Sequence, residues 1–80
     1  MEKLGRPKKR QELLKMYDSV SRFYEGLACA RKDGKMFHIR RDGTPAYNQW
    51  FHYVDPFISG RALAGKGKHW FYIHKDGTRA

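Results

Sequence analysis

Apolar and polar positions alternate along much of this chain. From Leu27 to Lys32, and again from Lys35 to Arg41, every second residue falls on one side: Ala28 and Ala30, then Phe37 and Ile39. A period of two predicts strands with one buried face. The pattern then returns. Phe23, Gly26, Ala28, Ala30, Lys32, Phe37, Ile39, Asp42, Gly43, Thr44 and Ala46 recur thirty-four residues on. Their counterparts are Phe57, Gly60, Ala62, Ala64, Lys66, Phe71, Ile73, Asp76, Gly77, Thr78 and Ala80. Upstream, Tyr17 meets Phe51 and Val20 meets Val54 at the same interval. A fixed period of this length is the mark of a repeat architecture.

The turns set the expected register. Asp33-Gly34 suits a two-residue type I′ loop, whose central residues both need positive φ. Lys32 then faces Lys35, Ala30 faces Phe37 and Ala28 faces Ile39, so small residues sit opposite large ones. The other side carries Leu27, Cys29, Arg31, Met36, His38 and Arg40. It is mixed, so it is either half-exposed or in contact with a neighbour. Treating Asp42-Gly43 in the same way puts Arg40 opposite Pro45 and Ile39 opposite Ala46. Each unit is thus expected to be a three-stranded antiparallel meander, with strands near 27–32, 35–41 and 44–47. In the second unit Gly67-Lys68 replaces Asp-Gly and fits type II′, with Gly at the first central position. Ala64 again faces Phe71, and Ala62 faces Ile73. The last strand of this unit has only two residues, which leaves an open edge for strand addition. We expect another copy or a partner to cover that edge or the Trp70-Tyr72 side.

Residues 48–56 join the units. They hold Trp50, Phe51, Tyr53 and Val54 and end in Asp55-Pro56, a turn signal. Trp50, Phe51 and Tyr53, with Phe23 and Phe57, are expected in the core between adjacent meanders.

Residues 1–16 lie outside the repeat as a basic arm. Lys3, Arg6, Lys8, Lys9, Arg10 and Lys15 stand there against Glu2 and Glu12. The arm is expected to be a short helix or disordered: a disordered tip, then one to three helical turns from Pro7, with Leu13, Leu14 and Tyr17 on the docked face. Gly5-Arg6-Pro7-Lys8-Lys9 resembles the core of an AT-hook, in which an extended backbone enters the narrow minor groove of A·T-rich DNA.

Charge widens the list of partners. Seventeen Lys and Arg stand against eight Asp and Glu, a net +9. Such a surface attracts polyanions. Arg6, Lys8, Lys9, Arg10, Arg40, Arg41, Lys66 and Lys68 are the candidate nucleic-acid or polyanion contacts. Trp70, Tyr72 and His74, with Met36 and His38, form the candidate partner surface. Cations beside stacking rings are the general design of single-strand nucleic-acid binders.

Catalytic and metal chemistry find little support. The single cysteine, Cys29, excludes an internal disulfide and fits a reducing compartment. His38, His52, His69 and His74 do not stand at finger-like spacing with it. Asp33, Asp42 and Asp76 are turn residues, and Gly65-Lys66-Gly67-Lys68 lacks the spacing of a phosphate loop. No apolar run approaches the ~20 residues of a membrane span, and residues 1–16 lack the apolar h-region expected of a signal peptide. A cytoplasmic protein with no enzymatic activity, no cofactor and no membrane association is expected.

Several segments resemble the bacterial WG-repeat (KWG-repeat) family. They are Phe23-Tyr24-Glu25-Gly26-Leu27-Ala28, Asp33-Gly34-Lys35-Met36-Phe37-His38-Ile39, Asp42-Gly43-Thr44-Pro45-Ala46-Tyr47, Tyr53-Val54-Asp55-Pro56-Phe57 and Lys68-His69-Trp70-Phe71-Tyr72-Ile73. Met36-Phe37 and Trp70-Phe71 stand where that family has its Trp-Gly dipeptide. The resemblance implies a β-rich repeat with a binding or scaffold role and names no ligand. The expected chain is therefore all-β, with WG-like units over 17–50 and 51–80. It would bind another protein or a second copy of itself, the alternative being RNA or DNA.

Overall fold

The computed structural model describes residues 5–80; residues 1–4, the start of the tip expected to be disordered, lie outside the described residues. One helix and six strands follow in order. They are α1 (Arg10–Met16), β1 (Ser19–Tyr24), β2 (Leu27–Lys32), β3 (Lys35–Ile39), β4 (Tyr53–Val54), β5 (Ala62–Lys66) and β6 (His69–Ile73). They form two three-stranded antiparallel sheets, β1-β2-β3 and β4-β5-β6. The chain is all-β apart from one short helix, as its alternation predicts.

The predicted hairpin registers hold. Lys32 pairs with Lys35, Ala30 with Phe37 and Ala28 with Ile39. In the second sheet Ala64 pairs with Phe71 and Ala62 with Ile73. Asp33 and Gly34 both have positive φ, as type I′ requires, whereas at Gly67-Lys68 only the glycine does.

The meander is phased differently from the expectation. Its first strand lies upstream, as β1 in one sheet and β4 in the other, and no strand forms over 44–47. β4 falls inside the stretch read as a connector. Glu25-Gly26 and Ser59-Gly60, all at positive φ, make the tight turns into β2 and β5. At the next turn the register is one residue off. Ile39 meets Pro45, not Ala46, because the loop has three residues. The Gly43 N–H donates to the Arg40 carbonyl at 2.9 Å and the Arg40 N–H to the Thr44 carbonyl at 2.8 Å. This is a type I turn closed by a glycine bulge at φ 88°. Asp42 favours it, since its Oδ1 accepts from both the Thr44 N–H and the Thr44 hydroxyl. Asp76 and Thr78 repeat that arrangement.

Helix α1 starts at Arg10, not at Pro7. The Lys8 N–H is committed to the Arg41 carbonyl at 2.8 Å, which holds the chain extended there. The Glu12 carboxylate then accepts the Lys9 N–H at 3.0 Å and marks the first turn. Leu13 and Tyr17 are buried as expected, but Leu14 is 45% exposed because the docked face is only one residue wide.

The layers stack in chain order. Leu13 and Tyr17 pack with Val20, Ala28, Ala30 and Ile39 on one face of the first sheet. Leu27 and Cys29, from the opposite face, join Tyr47, Phe51, Val54, Phe57, Ala62, Ala64 and Ile73 in a second core. The mixed side of the first hairpin is thus in contact with its neighbour. Equivalent rings keep equivalent geometry. Tyr17 meets Phe37 edge-on at 5.6 Å and 71°, and Phe51 meets Phe71 at 6.0 Å and 70°.

Candidate functional site

The interface between the two sheets defines what a covered unit looks like. At its edge, Met36 and Phe51 exchange two backbone hydrogen bonds of 2.8 Å. Behind them His38 is fully buried. Its Nε2–H donates to the Asp55 carbonyl at 2.8 Å, and its Nδ1 accepts from the Tyr47 hydroxyl at 2.7 Å. That hydroxyl also accepts the His38 backbone N–H at 3.2 Å. Phe57 lies against the imidazole, with centroids 4.4 Å apart. Every polar atom of His38 is therefore used in its neutral form. Burial pushes its pKa below the ordinary value. Burial likewise raises the Tyr47 hydroxyl, and it pushes the Cys29 thiol up to about 11, so that the thiol stays protonated and unreactive.

The second sheet presents the same face without a cover. Trp70 stands at the position of Met36 and is 59% exposed; Tyr72 stands at that of His38 and is 53% exposed. Arg61 and Leu63 replace Leu27 and Cys29. Bonding across β5–β6 alternates as it does across β2–β3. The Trp70 N–H, the Trp70 carbonyl and the Tyr72 N–H therefore point away from β5, and no partner meets them among the described residues. Tyr53, Gly65 and Trp70 lie in one row across β4, β5 and β6. Because Gly65 carries no side chain, the Trp70 ring lies over it, and Tyr53 closes to 5.8 Å from that ring. Beside this row, Asp55, Pro56, Ile58, Arg61, Leu63 and Tyr72 line an open depression of about 410 Å³.

Of the residues expected on a partner surface, Trp70, Tyr72 and His74 are exposed, and Met36 is half-buried under Phe51. His38 is sealed inside, because the second sheet covers it, and so takes no part in that surface. Trp50 and Tyr53, expected in the core, are instead 37% and 42% exposed. Trp50 lies outside because its ring packs beneath the ammonium groups of Lys35 and Lys66, at 5.2 and 4.5 Å.

The expected cations divide into two groups. The arm folds back on the Arg40–Thr44 turn, where the Gly5 N–H donates to Asp42 Oδ2 at 3.0 Å. Gly5, Pro7, Arg40, Arg41 and Asp42 line a small pocket there, with Arg6, Lys8 and Lys9 exposed beside it. Arg10 is tied to the Val20 and Ser21 carbonyls, and Arg41 lies over Phe23 at 4.7 Å. The AT-hook-like segment is thus docked on its own protein by backbone bonds. Lys66 and Lys68 stand at the β5–β6 tip with Lys35 close by, at the other end of β3 from Arg40. Among the described residues, Lys75–Glu25 at 3.3 Å is the one ion pair, and it joins the two units. Among those same residues, no three His, Cys, Asp or Glu side chains gather where they could hold a metal ion, and no helix is long and apolar enough to cross a membrane.

Comparison with known proteins bears on this stacked arrangement. Residues 8–35 match the model of the WG containing repeat. The match spans α1, β1, β2 and the Asp33-Gly34 turn, and it agrees with the WG-repeat resemblance over that stretch. The thirty-four-residue period carries the same plan to the second sheet. No curated protein and no solved structure matches the chain.

Proposed function

We propose that this chain is a non-enzymatic, WG-type binding module that engages another protein through the uncovered face of its second sheet. One observation carries the reading. The face formed by Leu27, Cys29, Met36 and His38 is sealed by the next unit, whereas its counterpart Arg61, Leu63, Trp70 and Tyr72 is bare. Large exposed rings beside unpaired strand groups mark an interaction surface. Immobilised chain is compared with its Tyr72→Asp variant in high salt after nuclease treatment. A defined protein held by the first and lost by the second supports the reading; equal retention by both overturns it.

The second reading, nucleic-acid binding, is favoured by the gathering of Arg6, Lys8, Lys9, Arg40 and Arg41 around one turn. Counterion release would make such binding collapse with salt, by about 0.7–0.9 log units per log unit of salt for each phosphate contact. Binding through apolar strand contacts keeps most of its strength under the same titration.

A further inference from the structure

We infer that the occupant of the bare face is an extended segment of a different, acidic protein, added as a strand to the edge of β6. This rests on the protein-binding reading above and specifies its geometry. The template is internal. In the covered unit, the segment 47–57 supplies a tyrosine hydroxyl to the His38 N–H, a residue that exchanges two bonds with Met36, and the Phe57 ring. The bare unit presents the same three free backbone groups at Trp70 and Tyr72. An extended segment with a hydroxyl four residues before its paired residue satisfies all of them. Apolar side chains three and six residues further on would then meet Leu63 and Tyr72, as Val54 and Phe57 meet the first unit. The Tyr72 hydroxyl takes the place of the His38 Nε2–H and donates to the backbone of the incoming segment.

Two observations exclude a simple repetition of the chain's own stacking. A second copy would have to offer the face of Val20, Ala28, Ala30 and Ile39, and α1 already covers it through Leu13 and Tyr17. Its paired residue would be Tyr17, whose N–H is held by the Leu13 carbonyl at 3.1 Å. In addition, Arg61 stands where an identical neighbour would require Leu27. Its guanidinium lies 5.8 Å from the Tyr72 ring and has no carboxylate partner among the described residues. A negative charge on the incoming segment completes that position, in keeping with the net +9 of the chain.

The test uses the full chain and a synthetic peptide of residues 47–57, the segment that covers the first unit. Amide NMR shifts are followed as the peptide is added. Shifts at Leu63, Trp70 and Tyr72, with slowed exchange of the Trp70 amide, are expected. Methylating the peptide nitrogen at Phe51 removes one reciprocal bond and is expected to weaken binding at least tenfold. The peptide carries one side-chain carboxylate, Asp55, so Arg61→Leu, which removes the cation it would meet, is expected to weaken binding several-fold. Equal binding by the methylated peptide overturns strand addition but leaves the protein-binding face standing. Unchanged or tighter binding with Arg61→Leu overturns the acidic partner. No shifts at Trp70, or shifts confined to β3, overturn the docking site itself. Concentration-dependent Trp70 shifts without peptide, which peptide does not displace, would assign the face to a second copy instead.

Discussion

Leu13 and Tyr47 hold the same place in the two units, and both are buried. One belongs to a helix and the other to a loop. Leu13 packs against Gly43 and Tyr47 against Gly77, the same turn thirty-four residues apart. The turn carbonyl is also capped in both, at Gly43 by the Tyr17 hydroxyl (2.6 Å) and at Gly77 by Gln49 Nε2 (3.0 Å). The upstream side of each unit is thus closed by whatever precedes it, helix or repeat. The downstream sides differ: His38 is sealed and Tyr72 is not. Closing a repeat therefore needs a few contacts of the right shape, not a particular secondary structure. The chemistry of the bare end is what remains when such a neighbour is absent.

The largest test of this comparison is Phe57→Ala. Phe57 is 1% exposed and fills the junction between the sheets, whereas its counterpart Phe23 is only partly buried against the first core, with Arg41 over its ring. Truncating a buried phenylalanine costs about 3–5 kcal/mol, and Phe23→Ala should fall well below that. Urea denaturation of both variants measures the difference, and equal losses would erase it. Leu13→Ala comes next, at about 2–5 kcal/mol. It should expose the first sheet while leaving the sheet-to-sheet junction in place, so protection of the β2–β3 amides should fall before that of β5.

The paired glycines give a finer comparison. Gly43 and Gly77 share φ near 85–88°, so alanine is strained at both. A Cβ at Gly43 would meet the movable tips of Met16 and Leu13 at 3.1–3.2 Å, whereas at Gly77 it would strike Tyr47 Cγ at 2.7 Å. The backbone term is about 1–3 kcal/mol in either case, and Gly77→Ala should exceed Gly43→Ala by the ring displacement. Thermal unfolding of the two variants reads that order directly.

Much of this plan was legible in the chain. Ala28, Ala30, Phe37 and Ile39 alternate cleanly, and Asp33-Gly34 accepts few turn types, so register followed from local chemistry. The three-residue loop at Asp42-Gly43 was misread because Asp-Gly serves both a type I′ turn and a bulged type I turn. What selects the second is Asp42 bonding to Thr44, and Thr44 and Thr78 are the residues that could have revealed it. β1 escaped notice because Ser21 interrupts the ladder: its hydroxyl accepts the Cys29 N–H at 2.8 Å, in place of regular backbone pairing; β4 escaped because it is only Tyr53–Val54, too short to show alternation. The fate of the mixed face depended on which unit lies next to which. His38 and Tyr72 are both plausible exposed strand residues, and only three-dimensional stacking separates them.

That separation predicts a pH dependence. The folded chain holds His38 neutral, with a pKa below its ordinary 6.5, so the unfolded chain binds the proton first as pH falls. The contribution of His38 to stability is therefore complete above about pH 6.5 and declines as pH drops from there toward the lowered folded-state value. One proton gives a slope of at most about 1.4 kcal/mol per pH unit. Melting temperature followed from pH 7.5 to 5 should show this decline, and His38→Gln should remove that portion of it. An identical slope in the variant would place the titration elsewhere.

The smallest effect is expected at the counterpart of His38. Tyr72 touches solvent on one side and has no side-chain hydrogen bond, so truncating it leaves no buried polar group unpaired and opens no enclosed cavity. Its contact with Arg61 is an exposed cation–π pair, worth about 0.5–1 kcal/mol at most, and Arg61 regains water when the ring is removed. Tyr72→Ala should therefore shift stability by no more than about 0.5 kcal/mol, the range of an ordinary surface substitution. Denaturation of the isolated chain measures this, with His38→Ala as the reference that must lose several times more. If Tyr72→Ala proved as damaging as His38→Ala, the second face would already be covered in the isolated chain, and the asymmetry between the two units would not exist.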